Sequence, residues 1–490
     1  MAVSHREMPL SLDALNDDIL IYIFAALSIP DILTLRQVSR RLSLLSRQYS
    51  VWHNACKSEI LHDDIPFPRT PLTSLTAKDL ERQTLRAYKL GANWRSPNTK
   101  LYHVTEVATK SETIEEIKFL THREQNWIVT ISRGIWSDLY LRDCDTLQVV
   151  AKWSPGKALF NGMVLNTNHD SDAAIAIAVQ RNGVMSVEIL SLSHHDQTSG
   201  VEIQSVAILD TCHKPIALRG DLVALCDHDS ETLILDWKTR EQCLLKSPET
   251  WKDKALHVIF AQGSIFVVRA RSTCVFTEPM MVSQGNDLPI TLPYAFASFG
   301  WVDGVALALR PSTEFHTTSP FQASLSMLVR TKGDDPWRLE DQFKFLTYNA
   351  TQNSRSHSTS HHDTPAIDND TGTFPFTAIS SLCSPHQGSL RCSDMVLGSY
   401  GTAVWVQPAD WAMAGLLSEN GYLHYIPAAP SKETLVVAIF PGPLNRGSSE
   451  ACIKVSFENS GFAWSCLDYD EERGLIALGS NFGGVTMFRL

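Results

Sequence analysis

The residues best equipped for chemistry in this chain fall into a few short clusters, and each misses a physical requirement. His357, His361, His362 and Asp363 offer three imidazoles and a carboxylate at the spacing of helix turns, a plausible zinc donor set. The stretch around them is too poor in apolar residues to hold a helix, and metal affinity needs a preorganised shell of ligands. His194-His195-Asp196 lies in a second expected loop with the same handicap. Ser154-Pro155-Gly156-Lys157 has the S-x-x-K form of a serine nucleophile and its lysine base. That chemistry needs the two side chains one helical turn apart, and Pro-Gly between them prevents the turn. Gly156-Lys157-Ala158 lacks the earlier glycine and the following Ser or Thr of a phosphate loop. No G-x-S-x-G or H-E-x-x-H motif is present. The sequence therefore predicts no catalytic residues, no metal and no cofactor, and the chain is not expected to be an enzyme.

The composition restricts partners and compartment. With 490 residues, 44% hydrophobic and 19% charged, the chain can bury a sizeable core and exceeds one ordinary domain. A net charge of −11 gives no basic field to attract a phosphate backbone, so nucleic acid is not an expected partner. The first residues lack the charged-then-apolar layout of a signal peptide. The ten cysteines form no C-x-x-C pair and are expected to be reduced, mostly buried thiols. Cytoplasm or nucleus follows, and the sequon Asn349-Ala350-Thr351 then carries no glycan.

What must position any function is a set of short helices between Leu12 and Trp52. After Asn16-Asp17-Asp18, which can cap a helix, Ile19 to Leu27 are apolar without a break. Ile19, Leu20, Ile23, Phe24 and Leu27 form one stripe; Ile21, Tyr22, Ala25 and Ala26 cover the other side, so this helix is expected to be buried all round. The run falls short of the ~18 residues that span a bilayer, so no membrane anchor is expected. A second helix begins at Pro30 and a third after Ser39. Roughly 40 residues cannot bury so much apolar surface unaided, which calls for a partner.

Leu15, Ile19-Leu20, Ile23-Phe24, Leu27, Ile32-Leu33, Leu35, Val38-Ser39-Arg40, Leu45 and Trp52 together resemble the F-box. Two positions depart from that pattern: Asn16 stands where a proline commonly follows the first leucine, and Leu42 where an aromatic often follows the basic pair. The resemblance implies docking onto the Skp-type adaptor of an SCF ubiquitin ligase and, through it, onto the cullin. It assigns adaptor contacts to Leu15, Ile19, Leu20, Ile23, Phe24, Ile32, Leu33 and Leu35, with Val38, Leu45 and Trp52 internal.

The remaining chain gives an α plus all-β, multidomain reading: an F-box helical domain over 9–62, a linker with a helix over 63–98, and a propeller over 99–490. Pro66, Pro68 and Pro71 stiffen the start of the linker, and a helix over Leu75–Leu90 is expected to stop at Gly91 before an Asn93-Trp94-Arg95 turn. That arrangement resembles fungal F-box proteins whose C-terminal part is a WD-repeat-like propeller. Beyond Lys100 short apolar strands take over in groups of four at near-propeller spacing. Later groups are assigned as Tyr294–Phe299 opening a fifth blade and Ala378–Leu382 opening a sixth. The last group has three strands, and Leu101–Val107 supplies its fourth, predicting a seven-bladed ring closed by both chain ends. A polar insertion over 349–372 is expected to be disordered.

The function expected is that of a non-catalytic substrate receptor, the F-box holding the ligase and the propeller an unidentified target protein. A non-degradative F-box scaffold and a propeller hydrolase are the alternatives.

Overall fold

In a computed structural model the described residues are 12, 15–68, 70–108, 112–123, 125–195, 200–227, 230–248, 253–261, 263–283, 288–298, 300–310, 325–332, 341–348, 376–384, 392–408, 433–459 and 463–490. The insertion 349–372, its histidine cluster and the sequon lie outside them.

Short helices build the N-terminal part: α1 (Asp17–Ala25), α2 (Ile29–Leu35), α3 (Arg40–Leu45) and α4 (Tyr49–Ala55), which runs on into a π-helical turn over Cys56–Leu61. Local chemistry sets their starts. The Ser28 hydroxyl accepts from the Asp31 N–H to cap α2, and that of Ser39 accepts from Leu42 N–H at 3.2 Å to cap α3. Glu59, on the π-helical turn, accepts from Ile29 N–H at 2.8 Å. A long helix, α5 (Ala77–Arg95), follows, capped by Thr76.

Gly91 does not stop α5. It lies inside the helix, buried, where a Cβ would meet the Ile65 side chain at 2.8 Å. Glycine here serves close packing, and the helix runs one more turn to bring in Trp94. Leu80 and Ala87 of α5 belong to the helical core with Phe24, Ile32 and Trp52, while Leu90 and Trp94 belong to the core of the ring.

The ring has seven sheets. Blade 1 comprises β2 (Thr113–His122), β3 (Gln125–Arg133), β4 (Ser137–Asp143) and β5 (Val149–Trp153); blade 2 comprises β6 (Leu159–Leu165), β7 (Ile175–Arg181), β8 (Val184–His195) and β9 (Gly200–Leu209). Blade 3 has β10 (Lys214–Arg219), β11 (Leu222–Cys226), β12 (Glu231–Asp236) and β13 (Glu241–Lys246). Blade 4 has β14 (Ala255–Ala261), β15 (Ser264–Arg269) and β16 (Ser272–Thr277). The chain between β16 and the last strand of blade 4 lays β17 (Val282–Ser283) and β18 (Ile290–Thr291) along the outer edge of β13, and β19 (Ala295–Ser298) then completes blade 4.

Blade 5 contains β20 (Gly304–Leu309), β21 (Leu325–Lys332), β22 (Asp341–Tyr348) and β23 (Phe376–Ser384), and blade 6 contains β24 (Met395–Leu397), β25 (Thr402–Gln407), β26 (Thr434–Ile439) and β27 (Cys452–Glu458). Blade 7 takes β28 (Trp464–Asp470), β29 (Leu475–Ser480) and β30 (Gly484–Arg489) from the C-terminal end, and β1 (Tyr102–Ala108) as its outer strand. The closing pair runs antiparallel from Tyr102↔Arg489 to Ala108↔Gly484, as the sequence predicted.

Two strand assignments change. The strands near 295 and 378 end blades 4 and 5 and do not open the following ones, because Ala295–Ser298 pairs back to β16 and Phe376–Ser384 pairs back to β22. Cys452–Glu458, which supplies the last strand of blade 6, was not among the expected strands. The seven first strands touch in cyclic order, β2, β6, β10, β14, β20, β24, β28 and back to β2, so they line the centre of the ring.

Candidate functional site

The helical part is a platform with a buried side and an apolar exposed side. Leu20 and Phe24 lie one turn apart on α1 and point into a core closed by Ile29, Ile32, Leu42, Leu45, Val51 and Trp52. Ions brace it. Arg41 reaches Asp17 at 2.5 Å and the Leu15 carbonyl at 2.6 Å, tying α3 to the start of α1. Arg36 bonds Glu81 at 2.5 Å and Ser46 Oγ at 2.9 Å, and its guanidinium lies 5.6 Å from the centre of the Trp52 ring, linking α2 to α5.

The residues assigned to adaptor contact divide. Ile19 is exposed and Leu15, Ile23, Leu33 and Leu35 are half-buried, so these five have surface to offer. Leu20, Phe24 and Ile32 do not, being 1%, 1% and 0% exposed. The reason is that α4, the π-helical turn and α5 cover apolar surface that the first 40 residues could not cover themselves. Val38 moves the other way. Expected inside, it is 67% exposed, because α2 ends at Leu35 and the turn that follows rotates Val38 off the helical stripe. Leu45 and Trp52 are internal, as expected.

Sequence reasoning missed Tyr22 and Leu44, 80% and 72% exposed. Treating α1 as buried all round hid Tyr22, although Ile19 and Tyr22 at i, i+3 share a face opposite to Leu20 and Phe24. The described platform therefore presents Ile19, Tyr22, Val38 and Leu44 to solvent.

The platform is fixed to one face of the ring. Trp94, 1% exposed, packs with Leu90 among residues of blades 6 and 7 including Tyr400, Leu467, Ile476 and Phe488. Gly474, in the β28–β29 turn with φ +61°, sits under Leu90, where a Cβ would come within 2.7 Å of the leucine methyl. Arg86 donates to the Arg473 carbonyl at 3.2 Å, Arg446 of blade 6 pairs with Asp64, and Arg95 bonds Asp63 at 3.0 Å. Arg473 and Gly474 lie in the β28–β29 turn, Arg446 in the β26–β27 connection and Tyr400 in the β24–β25 turn. Strand alternation puts the described β2–β3-type and β4–β5-type turns on that face.

The opposite face carries the described connections between second and third strands. Ile135 and Trp136 of blade 1, Val184 of blade 2 and Phe482 of blade 7 stand exposed there, and Trp301 sits under the Arg271 guanidinium at 4.9 Å.

Polar groups collect along the first strands. Asp468 accepts from Phe119 N–H at 2.7 Å and lies 3.7 Å from the Lys118 ammonium; Asp394 accepts from Leu467 N–H at 2.9 Å. Each carboxylate thereby satisfies a main-chain donor of the next blade. Burial disfavours the Lys118 charge, but Asp468, Asp394 and Glu116 outweigh it and hold the ammonium above its usual range. Lys118 keeps 36% of its side-chain exposure although carboxylates surround it, as expected on the wall of a channel. Burial pushes Glu116 up to about 7 and the imidazole of His257 down to about 4. Among the described residues no group of three His, Cys, Asp or Glu is arranged to hold a metal ion. Of the ten cysteines seven are buried, and Cys212, Cys383 and Cys452 are exposed. No described helix is long and apolar enough to cross a membrane.

Comparison with known proteins matches the two halves separately. Residues 13–58 match the F-box-like family model. The chain thus joins an F-box-like helical region to a seven-bladed β-propeller, an architecture typical of non-catalytic adaptor proteins and one that fits an F-box substrate-recognition protein in general. F-box domains generally bind Skp-type adaptors. Among solved structures, the β-propeller domain of Myceliophteria thermophila Cps50 (Swd1) is similar with a TM-score of 0.46 and 8% identity, over 80% of this chain and 100% of that one. None of the curated proteins compared matches the chain.

Proposed function

We propose that the protein is the substrate-recognition subunit of an SCF-type ubiquitin ligase in the cytoplasm or nucleus, working without a catalytic group of its own. The observation that carries this reading is the F-box-like match at residues 13–58, which falls on a platform that keeps Ile19, Tyr22, Val38 and Leu44 exposed. The ring has its own core, so it does not need that surface.

The adaptor contact is Leu15, Ile19, Ile23, Leu33 and Leu35 together with Tyr22, Val38 and Leu44. Leu20, Phe24 and Ile32 support it from beneath. A target protein binds the ring on the face away from the platform, where Ile135, Trp136, Val184 and Phe482 are exposed. The receptor then acts by proximity: a rigid α5 holds the target near a ubiquitin-loaded enzyme and raises its effective concentration.

The test is co-purification of the full chain with a Skp-type adaptor and cullin, followed by ubiquitination of proteins captured by the ring. Recovery of the adaptor and adaptor-dependent ubiquitin transfer to a captured protein is the expected result. Adaptor binding with no transfer to any captured protein would favour a non-degradative scaffold, and absence of adaptor binding would remove the F-box reading.

A further inference from the structure

The joint between blades 6 and 7 contains a carboxyl group in a setting built for it. Glu471, 7% exposed, begins the β28–β29 turn of blade 7 and reaches across into the β24–β25 turn of blade 6. There it accepts from Tyr400 N–H at 3.0 Å, from Thr402 N–H at 3.4 Å and from the Thr402 hydroxyl at 2.5 Å. Thr402 Oγ1 in turn lies 3.1 Å from the Tyr469 hydroxyl. Two glycines make the room. A Cβ on Gly398 would fall inside the Glu471 carboxyl group, and Gly401, at φ +91°, turns the chain so that the N–H groups on either side of it converge on one acceptor.

The charges around this carboxyl do not compensate it. Glu472, beside it in the turn, is a like charge, and Arg473 is engaged with Asp470 at 3.4 Å and with the Cys144 sulfur at 3.8 Å. The facing residues of blade 6 are Gly398, Tyr400 and Thr402, which carry no cation. The same turn ends at Gly474 under Leu90, and its Arg473 carbonyl receives Arg86 of α5. Glu471 therefore anchors, to blade 6, the turn on which the helical arm rests.

We propose that Glu471 is a proton-linked pin that sets how firmly the helical arm is held on the ring. Its two protonation states use the same atoms. The protonated carboxyl donates to Thr402 Oγ1, which passes its own hydrogen to Tyr469 Oη, while the main-chain N–H groups still find an oxygen. The carboxylate instead accepts from Thr402, and Tyr469 donates to Thr402. Both states are hydrogen-bonded, but only the ionised one leaves a buried charge with no cation beside it, and that charge favours opening of the turn to water. Burial pushes the Glu471 carboxyl up to about 7 despite the three donors, which puts the change between pH 6 and pH 8. The arm is pinned at mildly acidic pH and loosens as pH rises. This holds whatever the platform binds.

Amide hydrogen exchange of the full chain at pH 6 and pH 8, corrected for the intrinsic rate at each pH, tests it. For a group with a folded-state value of about 7 and an ordinary value once the turn is open, the opening constant rises about tenfold between the two conditions. That rise is expected over 471–474 and 86–95 through openings that leave the rest of the ring folded, so that these segments exchange faster than β7 and β8 of blade 2 at both pH values. Glu471→Gln, neutral and of the same shape, should remove the pH dependence while keeping the turn protected. A wild-type turn with no pH dependence, a turn and α5 that exchange no faster than β7 and β8, or a Glu471→Gln protein that keeps the full dependence would each overturn the proposal. Should the variant fail to fold, the wild-type comparison of the turn with blade 2 decides alone.

Discussion

The helical platform and the ring handle apolar surface in opposite ways. In the ring the side chains of each sheet pack against the next blade, as where Phe343 of blade 5 stacks on Trp405 of blade 6 at 4.4 Å, and the last blade meets the first. The platform has no such neighbour to complete it. Its inward stripe is covered by α4, the π-helical turn and α5, but Ile19, Tyr22, Val38 and Leu44 are left in water. One region is finished by its own chain and the other awaits something. That difference is what singles out the exposed platform residues for the proposed adaptor contact, with no catalytic residue to mark it.

The strongest way to break this comparison is to reopen the ring. Deleting Gly484–Leu490 removes the partner of β1 and the buried Val485, Met487 and Phe488. The ring should lose its cooperative melting transition altogether, while helical signal from the platform persists. An unchanged melting temperature would show that closure by both chain ends is not what holds the ring. Trp94→Ala is next. It empties the seat of the arm among blades 6 and 7 and should cost about 3–5 kcal/mol, measured by denaturant unfolding.

A smaller effect comes from pH. Glu471 and Glu116 are both held up to about 7 by burial, above the ordinary 4.5 of glutamate. The folded ring therefore binds those protons more tightly than the unfolded chain. Their contribution to stability is complete below pH ~4.5 and is lost as pH rises through 7. Asp138 and Asp143 act in the other direction. Burial opposes their charge, but hydrogen bonds from Ser154 and Lys152 to the first, and from Thr146 and Asp145 to the second, hold both below the usual range. Their contribution disappears as pH falls through those lowered values. The melting temperature of the ring should accordingly peak in mildly acidic buffer and decline by a few degrees towards pH 8. A curve that keeps rising to pH 8 would contradict the burial of these two glutamates.

How legible each region was in the sequence follows from the range of the interactions that build it. Closure by Leu101–Val107 could be read because an unpaired fourth strand is a deficit in a count, and counts do not depend on contacts. Blades 1 to 3, with short turns between alternating strands, were equally plain. Blades 5 and 6 slipped by one strand because the last strand of blade 4, β19, comes only after the chain has run along β13, and sequence gives no sign of which hairpin a strand rejoins after such a detour. On the platform the apolar residues were visible but their directions were not. Leu20 and Ile19 are adjacent and chemically alike, and only the placement of α4 and α5 decides that one is core and the other surface. Gly91 illustrates the same limit, since a helix stop and a close helix contact both call for glycine. Glu471 left a faint trace in Gly398 and Gly401, which acquire meaning once blade 6 is seen beside blade 7.

The smallest expected change in stability is the most informative about function. Val38 is 67% exposed in the turn between α2 and α3, so Val38→Asp should alter unfolding by no more than about 0.5 kcal/mol. If Val38 lies in the proposed adaptor contact, an aspartate there must be desolvated to bind, which should lower adaptor affinity by at least tenfold. Phe24→Ala gives the contrasting result. It lies in the core, should cost about 3–5 kcal/mol, and should weaken adaptor binding only in proportion to the unfolded platform. Calorimetric titration of the adaptor into both variants separates the two regions of the helix. Equal affinity loss per unit of lost stability would mean that Val38 lies outside the contact, leaving Ile19 and Tyr22 on α1 to carry it.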